Sequence, residues 1–231
     1  NKSRSDSGST AIIVRDDDHR PVLAQIESAS EFDELAFLAS VPALGSATYS
    51  IEATDGAVVG VAQRITTQML GGVGTRIVRG GCLSIGIEES SGEMVHIEIP
   101  AAFDQANRED SLKVALRANF VAYTNTSSGS YAFVPHGPAT PVPPGLVQAS
   151  LSVGPLSTRV TQEWPQTGLT KTVTLATSAD DTLCAGVNVH AGTRRAVANG
   201  TELVLRFESD ILNGQSPVLE TDNGLALVKW T

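Results

Sequence analysis

Cysteine and aromatic residues are scarce in this sequence: the first shortage excludes two classes of site or scaffold, and the second disfavours a carbohydrate-binding module. Only two cysteines, Cys82 and Cys184, occur among the 231 residues, which excludes a disulfide-dense scaffold and a zinc site with four cysteine ligands. Aromatic residues make up 5% of the chain, whereas modules that bind carbohydrate usually expose several for stacking. No apolar run is long enough to predict a transmembrane helix, so we expect no membrane insertion.

Basic residues are also few. The chain has 16 Lys and Arg residues against 25 Asp and Glu residues, a formal net charge of −9 at pH 7. A surface of that sign repels phosphate backbones on average, so we expect no extensive nucleic-acid footprint within these residues. The local basic spots are interpreted as solvated surface charge; they are Lys2 with Arg4, Arg76 with Arg79, and Arg194 with Arg195.

Apolar residues, by contrast, are plentiful and often alternate with polar ones. Hydrophobic residues make up 41% of the chain and charged residues 18%, so the chain should bury a core. In Glu93–Ile99, positions 95, 97 and 99 are apolar, and in Thr201–Glu208 positions 203, 205 and 207 are. A period of two residues is typical of a strand with one buried face. Further predicted strands are Ala11–Val14, Ala47–Ala53, Val58–Ile65, Arg76–Val78, Cys82–Ile87, Phe120–Tyr123, Tyr131–Val134, Val147–Val153, Lys171–Leu175, Leu183–His190 and Leu225–Trp230.

Turn residues separate many of these stretches. Asp55-Gly56, Asn199-Gly200 and Asn223-Gly224 supply the positive φ angles that tight turns need, and Ser90-Ser91-Gly92 lies between two predicted strands. Many short strands spaced by such turns favour an all-β sandwich or barrel. We therefore predict a sandwich of two antiparallel sheets.

Two stretches predict short helices within the loops of that sandwich. Ser30–Ser40 has apolar residues at spacings of three and Ser30 as a possible N-cap. Asn107–Phe120 places residues 112, 115, 116 and 119 on one stripe, with acidic residues at its start that suit the positive end of a helix dipole.

The predicted domain organisation is simple. Residues 1–10 are polar and rich in serine, and we interpret them as the end of a flexible N-terminal arm. Residues 11–231 are predicted to form a single domain. The proline-rich segment 135–145 cannot be a central strand, because proline lacks the ladder donor, and it is either a long surface loop or a linker between two domains.

No catalytic motif stands out. The histidines are His19, His96, His136 and His190, and no two have the close spacing of a metal-binding helix. His96 and His190 fall on the less apolar faces of predicted strands, where a surface or interface role is expected. Cys82 could be a nucleophile with a histidine partner, but it opens an apolar strand, which favours a buried structural thiol. We therefore assign no catalytic or cofactor-binding residue and expect no enzyme.

Acidic and glycine clusters are further candidates for ligand sites. Asp16-Asp17-Asp18, and more weakly Asp180-Asp181, could hold calcium, although the regular calcium-loop spacing is absent. The alternative is an acidic turn facing solvent, so the metal residues stay unknown, with calcium at subunit interfaces an open possibility. Gly71-Gly72-Val73-Gly74 lacks the Lys-Ser/Thr ending of a phosphate-binding loop and is interpreted as a turn.

Strand order and composition between Ser46 and Thr231 resemble a known family. The family is the single jelly-roll coat proteins of small icosahedral RNA viruses. Arg76–Ile87 is similar to a long strand of these proteins. Their closing strands are similar to the tracts Val187–Thr193 and Gly200–Glu208, which Asp210–Pro217 follows. The resemblance implies a jelly-roll shell domain over 11–231 with the proline-rich loop at 135–145. It also implies a basic arm, preceding residue 1, that would bind the viral RNA.

The implied function is assembly. Copies of this chain would associate into a homo-oligomeric icosahedral shell through modest contacts that act together, forming in the host cytoplasm and residing in the virion. Two other interpretations stay open: a secreted β-sandwich binding or adhesion module, and, less favoured, an enzyme in which His96 or His190 meets a carboxylate or Cys82.

Overall fold

A computed structural model describes residues 11–28, 33–54, 60–80, 83–99, 111–124, 134, 136–142, 147–176, 186–194, 200–211, 219–222 and 227–230. The described chain is all-β: eighteen strands occur, and no helix does. None of the described segments could therefore cross a membrane as a helix. The all-β prediction is confirmed.

The strands follow one another as short segments with one long exception, β10. Their bounds are β1 Ala11–Arg15, β2 Ala24–Ser28, β3 Asp33–Phe37, β4 Ser50–Thr54, β5 Gln63–Arg64, β6 Thr66–Met69, β7 Thr75–Gly80, β8 Leu83–Glu88, β9 Met94–Ile99, β10 Leu112–Thr124, β11 His136–Pro141, β12 Gln148–Val153, β13 Ser157–Trp164, β14 Leu169–Ala176, β15 Val187–Thr193, β16 Thr201–Ser209, β17 Leu219–Asp222 and β18 Leu227–Trp230.

Two larger sheets enclose the main core. One has the order β11-β10-β9-β8-β7 with β16 also on β10, and the other has the order β15-β14-β13-β12-β6. Alternate residues of both sheets point inward and exclude water. The buried cluster between them consists of Val78, Ile85, Ile87, Met94, Leu151, Val160, Val173 and Leu175.

A smaller layer has its own core. β1 pairs with β4, and β2 lies between β3 and β5, with Val14, Ala24, Ile26 and Ala62 buried together. This layer is bonded to the sandwich through Gln25, whose Nε2 donates to Ser157 Oγ at 2.9 Å. Arg159 also pairs with Glu27 at 2.8 Å.

Both helix predictions are wrong. Within Ser30–Ser40, residues 33–37 form β3, in which Leu35 and Phe37 pack on the small core with a period of two. Within Asn107–Phe120, residues from 112 onward belong to β10, where even-numbered positions from 112 to 118 are more buried than odd-numbered ones. The alternation that a sheet requires was therefore present in both segments, and pairing with β2 and with β9 and β16 selected it over the helical spacing.

The finer topology differs from the resemblance. Neighbours in both large sheets are mostly consecutive along the chain, which is a meander, whereas a jelly roll is built from two Greek keys. The jelly-roll order is therefore not confirmed. In the proline-rich segment, residues 136–141 form β11, an edge strand paired only with β10, in agreement with the expectation that it is not a central strand. The predicted arm at 1–10 lies outside the described residues.

Candidate functional site

A cleft of about 440 Å³ opens between the two large sheets. Apolar side chains form its walls, among them Phe120, Val121, Val142, Val147 and Trp164. Glu93, Gln162 and Lys171 contribute to it from the interior, and Glu88, Arg206 and Glu208 add further charged groups. A mainly apolar concavity with a few polar groups is the usual form of a ligand site, so this cleft is the first candidate.

Lys171 is the most unusual residue of the cleft. It lies on the same face of β14 as Leu169, Val173 and Leu175, all of which are buried, and it is itself only 1% exposed. Its Nζ donates to Glu93 Oε2 and to the backbone oxygen of Ala118, both at 2.6 Å. Burial lowers the pKa of Lys171, and the neighbouring Glu93 carboxylate opposes that shift.

Glu93 reaches Lys171 because of the turn between β8 and β9. Gly92 has φ of +71°, and a Cβ there would lie 2.6 Å from the Cβ of Ala149, so only glycine fits. Glu93 Oε1 also accepts a hydrogen bond from the Ala118 backbone nitrogen at 3.3 Å. The Glu93 side chain after this turn, the backbone nitrogen and oxygen of Ala118 on β10 and the Lys171 side chain on β14 thus connect the two sheets.

Gln162 stands beside Lys171 across the β13–β14 ladder. It is 2% exposed, and its Nε2 donates to the Ser91 backbone oxygen at 2.7 Å. Its Oε1 is buried and accepts no hydrogen bond from the described residues. A buried acceptor without a donor is costly, which makes Gln162 an incompletely satisfied group at the cleft.

An aromatic pair and an ion pair complete the lining. The rings of Phe120 and Trp164 meet edge to face, with centroids 5.5 Å apart and planes at 84°. Arg206 pairs with Glu208 on the same strand, and both side chains are about half exposed. Glu88 Oε2 accepts a hydrogen bond from Ser91 Oγ at 2.6 Å.

His96 lies outside this cleft, on the opposite side of β9 from the core residue Ile97. Its ring covers Gly86, where a Cβ would lie 2.1 Å from His96 Cε1. His96 is 6% exposed and its Nε2 has no partner among the described residues. Burial lowers the pKa of His96, Lys113 lowers it further, and Glu98 opposes both.

Strict alternation in Glu93–Ile99 predicts Met94 on the same face as His96, and that prediction is wrong. Met94 is 0% exposed and belongs to the main core. Gly86 pairs with His96 and Ile87 with Met94, so Val95 is an extra residue in the β8–β9 ladder. Such a bulge reverses the alternation at one point, and for this reason Met94 and Ile97 both reach the core.

The other predicted site residues are dispersed. His19, His136 and His190 are exposed and lie on different elements. Asp16-Asp17-Asp18 forms a tight turn in which Asp16 Oδ1 accepts from the Arg20 backbone nitrogen at 2.8 Å and Asp18 pairs with Arg20 at 2.9 Å. In the part of the chain that the structure describes, no three His, Cys, Asp or Glu side chains form a group that could hold a metal ion.

The remaining sequence predictions concern the basic pairs, the glycine cluster and residues outside the described part of the chain. Arg76 of the Arg76/Arg79 pair is bonded to Glu89 at 2.5 Å and Arg194 to Glu163 at 3.3 Å, as solvated surface charges often are. Gly71-Gly72-Val73-Gly74 is the turn between β6 and β7, as expected. Outside the described residues lie Lys2, Arg4, Cys82, Asp180, Asp181, Cys184 and Arg195.

A second candidate is a surface loop that the sequence analysis missed. Between β3 and β4, the Pro42 carbonyl accepts from the Gly45 nitrogen at 3.0 Å, and Leu44 in that turn has φ of +58°. Leu44 is fully exposed, at 111% of its reference area. The loop is closed by Tyr49, whose Oη accepts from the Ser40 nitrogen at 2.7 Å and donates to the Ser40 oxygen at 2.9 Å.

The role of Lys171 was also missed, although a signal existed. In Leu169–Leu175 the period of two already places Lys171 with Leu169, Val173 and Leu175, and a charged residue in a core register is notable. Leu44 gave no comparable signal, because positive φ at leucine is not encoded in any turn motif.

No family model matches this chain, and no curated protein matches it.

Proposed function

We propose that this chain is a structural coat protein whose copies associate into a shell around a viral genome. The observation that carries the proposal is Leu44. A leucine held at positive φ costs about 1–2 kcal/mol relative to a favoured conformation. Its side chain is also fully in water, although burying a leucine gains about 1.5–3 kcal/mol.

A neighbouring subunit that covers the loop would bury the Leu44 side chain, and the gain from that burial would offset the cost of its positive φ. The Tyr49–Ser40 hydrogen bonds hold the loop in one shape before association, so little conformational entropy is lost on contact. Val41, 57% exposed on the same loop, enlarges the apolar tip. A small preformed contact of this kind suits a shell, in which many weak contacts act together.

Assembly also depends on the charge of the subunits. Subunits with a net charge of −9 repel one another, so the contacts need apolar groups or shared cations. Calcium between facing carboxylates of neighbouring copies remains part of the proposal, as does RNA binding by a basic segment outside this sequence.

The test compares the parent protein with Leu44→Asp and Leu44→Gly by light scattering after size-exclusion chromatography, and by negative-stain microscopy. Leu44→Gly is the sharper variant, because glycine accepts the positive φ and should leave the dissociated subunit at least as stable in thermal unfolding. We expect both variants to lose particles that the parent forms.

Val73→Ser is the matched control, since Val73 is 99% exposed in a different turn. We expect this variant to assemble like the parent. Particles that form equally well in both Leu44 variants, or an equal loss in Val73→Ser, would contradict the role given to Leu44. A monomer in the parent protein would favour a binding module instead.

A further inference from the structure

The charges of the inter-sheet cleft are not balanced. Three carboxylates line it against two cations. Lys171 is bonded to Glu93, and Arg206 to Glu208. Glu88 is exposed, and its carboxylate accepts a hydrogen bond from the neutral Ser91 hydroxyl. The lining therefore carries one negative charge in excess, on a chain that is itself acidic.

Two further features specify what could balance that charge. The Phe120 and Trp164 rings line the cleft and meet edge to face, and aromatic rings attract organic cations. Gln162 Oε1, buried beside Lys171, lacks a donor among the described residues. A metal ion needs several oxygen ligands from the protein, and no three His, Cys, Asp or Glu side chains of the described residues form a group that could hold one.

We propose that the cleft binds a small primary ammonium compound with an apolar body. The apolar body packs against Phe120 and Trp164, the positive charge offsets Glu88, and the ammonium N–H groups supply donors for the acceptors of the cleft. A volume of about 440 Å³ is within the usual range for small-molecule sites. This site is independent of the assembly proposed above.

The probe is phenethylammonium chloride, titrated at constant ionic strength and followed by tryptophan fluorescence and by calorimetry. The chain has two tryptophans, so Trp230→Phe leaves Trp164 as the only one. The anion 3-phenylpropionate, of similar size and shape, is the comparison ligand. We expect the ammonium compound to bind about tenfold or more tightly than the anion.

Glu88→Gln removes the unbalanced charge and keeps the shape of the side chain. We expect it to weaken ammonium binding about fivefold, as for loss of one partly exposed charge interaction. Glu34→Gln, at an exposed carboxylate on β3, is the control and should leave binding unchanged. Equal binding of both probes, no saturable binding at millimolar concentration, or an unchanged affinity in Glu88→Gln would overturn the proposal, whatever the assembly state.

Discussion

At the scale of single residues, the most unusual feature is the charged side chain of Lys171, which is buried in the interior. Lysine is almost never fully buried without a partner, and here two acceptors at 2.6 Å hold it between the sheets. The desolvation of such a pair can offset its attraction, so the pair is a poor source of net stability. Removing one partner is different, because the other then stays buried and uncompensated.

Lys171→Met should therefore lower the free energy of unfolding by about 3–5 kcal/mol, measured by chemical denaturation at neutral pH. Adding Glu93→Gln should recover a substantial part of that loss, because a neutral amide then replaces the largely buried carboxylate, which is 15% exposed. Arg194→Met, which breaks an exposed pair at 3.3 Å, is the control and should cost about 1 kcal/mol or less. A Lys171→Met variant as stable as the parent would show that the pair is not needed to hold the sheets.

His96 makes a pH-dependent contribution to the stability of the folded protein. Its pKa is lowered in the folded state, first by burial and then by Lys113, while Glu98 opposes the shift. The unfolded chain, with a histidine pKa of about 6.5, then binds protons more readily than the folded one. Stability should be complete above that value and should fall as the pH drops below it.

His96→Leu should flatten this pH dependence in thermal unfolding measured between pH 7.5 and pH 5. The Nε2 atom has no partner among the described residues, so the substitution removes no hydrogen bond from it. His190→Gln, at an exposed edge position, should keep the parent profile. An unchanged slope in His96→Leu would assign the acid sensitivity to other groups.

At the scale of elements, the alternating stretches were predictable and the irregular ones were not. β7, β8, β9 and β16 agree closely in their bounds with the predicted strands. In β8 the apolar residues Leu83, Ile85 and Ile87 follow a clear period of two. β13 was missed because its buried face includes Thr158 and Gln162, and polar residues that face inward hide the pattern. The helix prediction at Asn107–Phe120 was wrong because residue spacing cannot reveal that this part of β10 pairs with β9 and β16.

The turn between β8 and β9 gives a prediction at this scale. Gly92→Ala should destabilise the protein by about 1–3 kcal/mol in chemical denaturation, since the new Cβ combines positive φ with a contact of 2.6 Å to Ala149. Gly74→Ala has positive φ but open space around it, and Gly71→Ala has neither constraint. We expect the loss in free energy of unfolding to be largest for Gly92→Ala, smaller for Gly74→Ala and smallest for Gly71→Ala. Equal losses in the first two variants would mean that packing of the turn against β12 is unimportant.

At the scale of the whole molecule, the sequence was sufficient for the fold class but not for the site. An all-β sandwich followed from turn spacing and alternation, whereas the cleft forms only when β8, β10, β13, β14 and β16 meet. Leu44 likewise becomes notable only once its φ angle and exposure are known. Both features combine residues distant in sequence or depend on backbone geometry, which local patterns do not record.

Assembly is the central claim, and particle formation by the parent protein tests it most directly. The measurement is the molar mass in solution, from light scattering after size-exclusion chromatography at several pH values with and without calcium, together with negative-stain images of each fraction. The account predicts closed hollow particles built from many copies, at least under one of these conditions. A single monomeric species under all of them would contradict it.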